Sequence, residues 1–203
     1  GDVYKRQART RPRPTRSSAS SRAIGPAANG SGDDVESLIR DIHDFPTPGV
    51  VFKDLTPVLA DPAGLRDAID TMVTLAPEGI DMVAGVESRG FWFAPSIALA
   101  LGCGFVAMRK PAKLPGPVLR RPVTLEYGED ELAVHTGQIP AGARVLIVDD
   151  VLATGGTLMG AADLVEDADA SVAGALLFLE LTALDGRAAL EERGIDVRTA
   201  IRA

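Results

Sequence analysis

The chain has 203 residues, 46% hydrophobic, with one cysteine; this suits a single domain with or without a tail and excludes an internal disulfide or a CxxC-type zinc site. Mean hydropathy is +0.12, and no apolar run reaches the roughly 18 residues of a membrane span, so a globular core is expected, neither a membrane protein nor a disordered chain. The net charge of −7 is unevenly divided, with seven basic residues and one acid in residues 1–30 against 14 basic and 27 acidic in the rest, so the acidic body is a poor candidate for nucleic-acid binding.

Residues 1–32 are rich in Arg, Pro, Ser, Ala and Gly and almost free of large apolar side chains. They cannot bury enough surface to offset the entropy of ordering, so a disordered or non-native N-terminal extension is expected. An Arg- and Ser-rich, acid-poor start also resembles a transit peptide, but Pro12, Pro14 and Pro26 would break the amphipathic helix such a peptide needs. A single domain is expected over 33–203. Residues 33–45 begin with acids and place Val35, Leu38, Ile39 and Ile42 on one face, which predicts an amphipathic helix. Residues 45–59 carry three prolines and must be extended or turning. A helix follows over 61–76 with Pro62 in its first turn.

Residues 81–86 read as a short buried strand, 88–102 as a helix behind a Gly hinge and closed by Gly102, and 105–110 as a strand. Residues 113–122 read as loop and 123–137 as an exposed ribbon. The stretch 144–150 predicts a strand, 156–168 a helix and 170–181 a strand. A last helix near 185–193 precedes a last strand near 195–201. Alternating strands and helices with continuous apolar strands predict an α/β fold, a mostly parallel twisted sheet flanked by helices. Ligands of such sheets gather beyond the C-terminal strand ends.

That is where VLIVDDVLATGGT (145–157) falls. Gly155 and Gly156 at a helix start let backbone N–H groups approach an anion, and Thr154 and Thr157 add hydroxyl donors, so Ala153–Thr157 reads as a phosphate cradle. Asp149 and Asp150 only accept hydrogen bonds and repel phosphate; their natural partner beside one is a sugar diol, with metal a second option. Together they spell a ribose 5-phosphate. A strand end with a solvated acidic pair and an ordinary Gly turn is the plainer reading of the same residues. No GxxxxGK[ST] or GxGxxG occurs, which counts against ATP and dinucleotide sites.

VLIVDDVLATGGT resembles the phosphoribosyl-pyrophosphate (PRPP) motif of the type I phosphoribosyltransferases. FPTPGVVFKDLTPVL (45–59), GVESRGFWFAPSIA (85–98), RKPAKLPGP (109–117), TLEYGEDELAVH (124–135) and LVEDADASVAGALLFLELTALDGR (164–187) are similar, in order and spacing, to the adenine branch of that family. The resemblance implies the type I phosphoribosyltransferase fold with a small hood and a flexible lid loop. It implies transfer of phosphoribose from PRPP to adenine with Mg²⁺, the metal riding on PRPP with no confident direct protein ligand. It further implies a homodimer, a cytoplasmic enzyme and small-molecule partners only, adenine and PRPP.

Residue by residue, the resemblance places Ser88, Arg89, Arg109, Lys110 and Lys113 at pyrophosphate, some of them possibilities for a partner subunit's site, and a cis peptide between Glu87 and Ser88. Ala112 stands where the family often has Gly. Glu126 is the candidate proton-handling residue on the lid, with Tyr127 and Gly128, and Arg89 helps the leaving group. Phe52 is the platform for a flat purine, Val51 and Lys53 offer backbone groups to its edge, and Leu181 covers the other face. An oxopurine transferase is the alternative, and a non-catalytic PRPP sensor a further one, although no helix-turn-helix pattern accompanies the motif. His43 and His135 lack the spaced partners of a metal site, and Cys103 and Trp92 read as packing residues, Trp92 at a core or interface.

Overall fold

The computed structural model describes residues 35–125 and 128–203; the expected N-terminal extension, and Glu126 and Tyr127, lie outside the described residues. A five-stranded sheet forms the centre, in the order β4-β3-β7-β8-β9. Its strands are β3 (Met82–Val86), β4 (Gly104–Met108), β7 (Arg144–Leu152), β8 (Ser171–Glu180) and β9 (Val197–Arg202), and every pairing is parallel. Helix α2 (Pro62–Leu75) and α3 (Ala94–Leu101) share one apolar cluster with Val83, Leu146 and Phe178, while α4 (Gly156–Asp167) and α5 (Gly186–Glu192) contribute to a second with Ile147 and Leu177. Burial on both faces is why these strands read as unbroken apolar runs. The expected α/β class with helices on a parallel sheet is what the chain adopts.

Chain order runs outward from β3 to β4 and then jumps to β7 on the other side of β3. The strand order therefore reverses between β3 and β7, the crevice where doubly wound sheets bind ligands. β3 pairs with β7 only as far as Gly85 with Val148, whereas β7 continues beside β8 to Leu152. One edge of β7 thus has no strand partner from Asp149 onward, and the Arg89–Trp92 turn packs against it there.

Three sequence readings need correction. Residues 35–45 do not form the expected amphipathic α-helix. A 3-10 turn at Val35–Leu38 leads into β1 (Arg40–His43), which pairs antiparallel with β2 (Val51–Asp54). Cross-strand pairing of Ile42 with Phe52, and ion pairs from Arg40 to Asp54 and Lys53 to Asp41, override the helical periodicity. Val35, Leu38 and Ile39 still pack on the core, as a helix face would have. Residues 45–59 turn as expected but end in a short helix, α1 (Thr56–Ala60), with Asp54 accepting from the Thr56 amide and hydroxyl at its start.

Residues 114–117 of the expected loop stay irregular, but 118–122 join the expected ribbon in one hairpin, β5 (Val118–Leu125) and β6 (Gly128–His135). It is not simply exposed: Val123, Leu132, Ala133 and Val134 are buried, and all but Ala133 join the α4 cluster. The hairpin hides one face, as a half-buried antiparallel ribbon does. The remaining elements lie where periodicity placed them, and α3 closes on Gly102 in a left-handed conformation.

Candidate active site

The end of β7 and the start of α4 build the floor of the site. Gly155 caps α4 with φ of 86°, and it has no side chain to bond the first amides of the helix. A left-handed turn admits glycine at little cost, and an uncapped helix start leaves N–H groups and partial positive charge for an anion. Ala153, Thr154, Gly155, Gly156 and Thr157 line one cavity of about 430 Å³ together with Asp149 and Asp150. The two acids and the cradle are therefore one surface, although the acids lie within β7 and not past its end.

Asp150 is 1% exposed, and its Oδ2 has the Arg89 Nε at 3.0 Å. That contact is electrostatic but off the hydrogen-bonding direction, so Oδ2 has no hydrogen bond among the described residues. Burial raises the pKa of Asp150 and Arg89 opposes the rise. Asp149 is pushed well above the usual carboxylate range by burial first and by the neighbouring Asp150 charge second, although the Asp150 amide donates to its Oδ1 at 2.9 Å. A buried Asp150 with an unfilled acceptor beside a half-buried Asp149 suits incoming donors, and a sugar diol supplies two hydroxyls.

The β3–α3 connection brings Glu87, Ser88 and Arg89 to the same cavity, and the Glu87–Ser88 peptide is cis, as the resemblance implied. Of the three cations on the 109–113 loop only Lys110 lines the cavity, and its Nζ is 2.5 Å from Asp130 on β6. Arg109 and Lys113 are not brought to it. Both pair with the carboxylate of Glu87, Arg109 Nε at 3.1 Å, and the Lys110 amide adds a third donor at 3.1 Å. The Glu87 side chain is 5% exposed. Burial alone would raise its pKa; Lys113, Arg109 and the Lys110 amide hold it below the ordinary value instead.

A second cavity of about 250 Å³ adjoins the first and contains Val51, Phe52, Lys53 and Leu181, all four expected there. Arg89, Val151 and Ala153 line both. Arg89 stands 5.4 Å above the Phe52 ring while contacting Asp150, so one guanidinium spans the aromatic platform and the acid pair. Phe45 packs edge-to-face on Phe52 at 5.3 Å, fixing the ring plane. The Lys53 ammonium is engaged by Asp41 at 2.8 Å, which leaves its backbone for recognition. Val51 and Lys53 are two apart on a strand, so their backbone groups point the same way.

Several contributors escape sequence reasoning. Phe45, Pro46 and Val50 complete the aromatic cavity from the β1–β2 turn, where the Phe45–Pro46 peptide is cis. Glu87 neutralises the basic loop, and Asp130 and Glu131 face the first cavity from β6. Gly186 underlies the cradle, where a Cβ would lie 2.1 Å from the Ala153 carbonyl oxygen. Only the aromatic turn carried a usable signal, its repeated prolines. Glu126, the expected proton handler, lies outside the described residues. Burial raises the Cys103 thiol pKa, which leaves it a poor nucleophile, and Trp92 packs against the α2–α3 core.

Among the described residues no three His, Cys, Asp or Glu side chains converge as a metal cage. Two acids, one already leaning on Arg89, suit a cation that brings most of its oxygen ligands with it.

Residues 58–199 match the family described as Phosphoribosyl transferase domain. The adenine phosphoribosyltransferase of Cutibacterium acnes is 52% identical over 163 residues, 80% of this chain and 92% of that protein. The solved adenine phosphoribosyltransferase of Thermoanaerobacter pseudethanolicus superposes with a TM-score of 0.79 at 42% identity, covering 83% of this chain and 98% of that one. The Saccharomyces cerevisiae enzyme, solved with an imino-altritol bisphosphate and adenine, gives 0.76 at 38% identity over 82% and 96%.

Proposed function

The chain belongs to the phosphoribosyltransferase family, on its adenine phosphoribosyltransferase branch, and from that premise we propose how its two joined cavities divide the work. The enzyme transfers the 5-phosphoribosyl group of PRPP to adenine, giving AMP and pyrophosphate, a step of purine salvage. The observation that carries the division is the shared wall of Arg89, Val151 and Ala153. It supports a sugar held by the acid pair lying next to a base held by Phe52.

In this reading the amides and hydroxyls of Ala153–Thr157 hold the 5-phosphate, and Asp149 and Asp150 accept from the 2′- and 3′-hydroxyls. The C1′–oxygen bond to pyrophosphate breaks through an oxocarbenium-like transition state, and C1′ bonds N9 of adenine. Ser88, Arg89 and Lys110 take the leaving group's charge, with Arg109 and Lys113 available once they leave Glu87. Mg²⁺ entering with PRPP would supply further neutralisation of that charge, with Asp149 and Asp150 the acids at hand to hold it. Glu126 takes the N9 proton or holds the reactive tautomer. Phe52 and Leu181 sandwich the purine, and backbone groups of Val51 and Lys53 read the N6 amine and N1. The family resemblance also supports a homodimer, and a lone unpaired thiol and phosphorylated substrates suit the cytoplasm.

Initial rates of pyrophosphate release with PRPP, Mg²⁺ and each of adenine, hypoxanthine and guanine test the reading. Adenine is expected to turn over, with the oxopurines slower by up to about 10⁴, since a base of opposite polarity leaves buried groups unpaired. Glu126→Gln is expected to lower kcat by about 10²–10⁴. Equal turnover of hypoxanthine would overturn the base assignment, and no turnover with any base would leave a PRPP sensor.

A further inference from the structure

Glu180 ends β8 with 3% of its surface exposed, one residue before Leu181 of the aromatic cavity. Burial alone would favour the neutral acid. Instead Arg187 first, and then Thr199 and Arg202, hold its pKa below the ordinary value. Arg187 meets both carboxylate oxygens, Nε at 2.9 Å and Nη2 at 2.6 Å, a two-pronged contact that fixes orientation as well as charge. Thr199 Oγ1 donates at 3.0 Å, and the Nη1 of Arg187 donates to the Val197 carbonyl at 2.6 Å. Arg187 is thereby fixed to β8 and β9 at once.

The residue before it bears the consequence. At Gly186 a Cβ would lie 2.1 Å from the Ala153 carbonyl oxygen and 2.8 Å from the Leu152 side chain, and a Cβ on Gly155 would lie 3.1 Å from the Gly186 carbonyl oxygen. The cradle loop rests on the Gly186 backbone with no side chain between. Donors serve a ligand only when held within about 0.5 Å of the productive position. Glu180, Arg187 and Thr199 line neither cavity, so any effect of theirs on binding is indirect, and for Arg187 the Gly186 seat is the nearest route to the cradle. We propose that Arg187, locked by Glu180, is a positioning residue for the phosphate cradle, setting affinity for the sugar phosphate through the Gly186 backbone. The proposal rests on the reading of the cradle given above.

The test compares Arg187→Met and Glu180→Gln with Arg198→Met, whose arginine is ion-paired to Asp196 and bonded to the Leu75 carbonyl. KM for PRPP, KM for adenine, kcat, the Tm and the calorimetric Kd of ribose 5-phosphate are measured for each. In the two clamp variants KM for PRPP and Kd for ribose 5-phosphate are expected to rise about tenfold, since small misplacements of binding groups are costly, while KM for adenine moves less than about twofold and Arg198→Met changes neither. Unchanged ribose 5-phosphate affinity in both clamp variants overturns the proposal. So does a parallel rise of both KM values that merely follows loss of Tm, as a structural role would give. Should Arg187→Met not fold, Arg187→Lys keeps the charge but cannot reach both Glu180 oxygens and Val197, and carries the same expectations. Ribose 5-phosphate binding reads the clamp without catalysis; absence of AMP formation by the unaltered enzyme would count against the function alone.

Discussion

The proposed phosphate cradle and the basic 109–113 loop are made differently, and of the loop's cations only Lys110 lines the cradle's cavity. The cradle is backbone: a left-handed Gly155, an uncapped helix start and a neighbouring glycine beneath it. Its geometry is fixed by the packing of β7, α4 and α5, and it has no alternative partner to choose. The loops offer long side chains, and these are already paired, Arg109 and Lys113 with Glu87 and Lys110 with Asp130. A site built from backbone is ready before its ligand arrives, whereas one built from flexible cations must exchange protein carboxylates for ligand oxygens. The acid pair follows the first pattern from the opposite side: burial, and for Asp149 the neighbouring Asp150 charge, make ionisation of the two carboxyls costly, and a diol's hydroxyls would ease it.

Variants that strike each region sharpen the contrast. Asp150→Asn has the largest expected effect. It removes the charge opposite Arg89 and halves the acceptor capacity offered to the diol, and hydrogen bonds to charged groups contribute about 1.5–3 kcal/mol each. A fall of about 100-fold in kcat/KM for PRPP is expected in steady-state assays; a fall confined to the adenine kinetics would break the assignment.

Glu87→Gln acts on the loops and is expected to be milder and opposite in sign for one step. Arg109 and Lys113 lose their protein counter-charge, so inhibition by product pyrophosphate should tighten by about threefold, within the range of partly exposed ion pairs. Weaker pyrophosphate inhibition would mean that Glu87 orients these cations for the ligand and does not compete with it. The depressed pKa of Glu87 also carries a stability term. Its contribution is present above the unfolded value of about 4.5 and is lost as pH falls through the lower folded-state value. Glu87→Gln should therefore lower Tm at neutral pH, with the difference from the unaltered enzyme shrinking in acid.

Asp149→Asn has the smallest expected effect on the free protein, and the unusual direction. Burial and Asp150 raise the folded-state pKa of Asp149 above its ordinary 3.8. Ionisation then costs the folded state stability, beginning as pH rises past the unfolded value and complete above the folded one. The amide carries no such cost and its oxygen can still accept the Asp150 N–H. Melting curves should show a Tm gain at neutral pH that vanishes near pH 3, at about 2–4 °C per kcal/mol relieved. A loss of Tm at neutral pH would contradict the strain assigned to the pair.

Legibility from sequence followed the same divide. The central strands were readable because burial on both faces makes them unbroken apolar runs, and helices α2 to α4 because each buries a face that its periodicity announces. VDDVLATGGT was readable because acid, glycine and hydroxyl in one turn have few joint uses. The first segment was misread because Val35, Leu38, Ile39 and Ile42 suit a helix locally, and only the distant Val51–Asp54 strand makes 40–43 extended. The 118–135 hairpin was underestimated because the α4 surface that buries Val123 lies elsewhere in the chain. Glu87 read as one more acid, and nothing in Leu184-Asp185-Gly186-Arg187 distinguishes a glycine that seats another loop from one that merely turns the chain. Which cations face the ligand is decided by side-chain partners, and no spacing rule lists those.

The central claim is that one surface holds both ends of a ribose phosphate. A crystal of the protein grown with ribose 5-phosphate tests it most directly. The account predicts the phosphate on the amides and hydroxyls of Thr154–Thr157 with both ring hydroxyls donating to Asp149 and Asp150. A sugar phosphate bound at the Arg109–Lys113 loop, with the acid pair untouched, would contradict it.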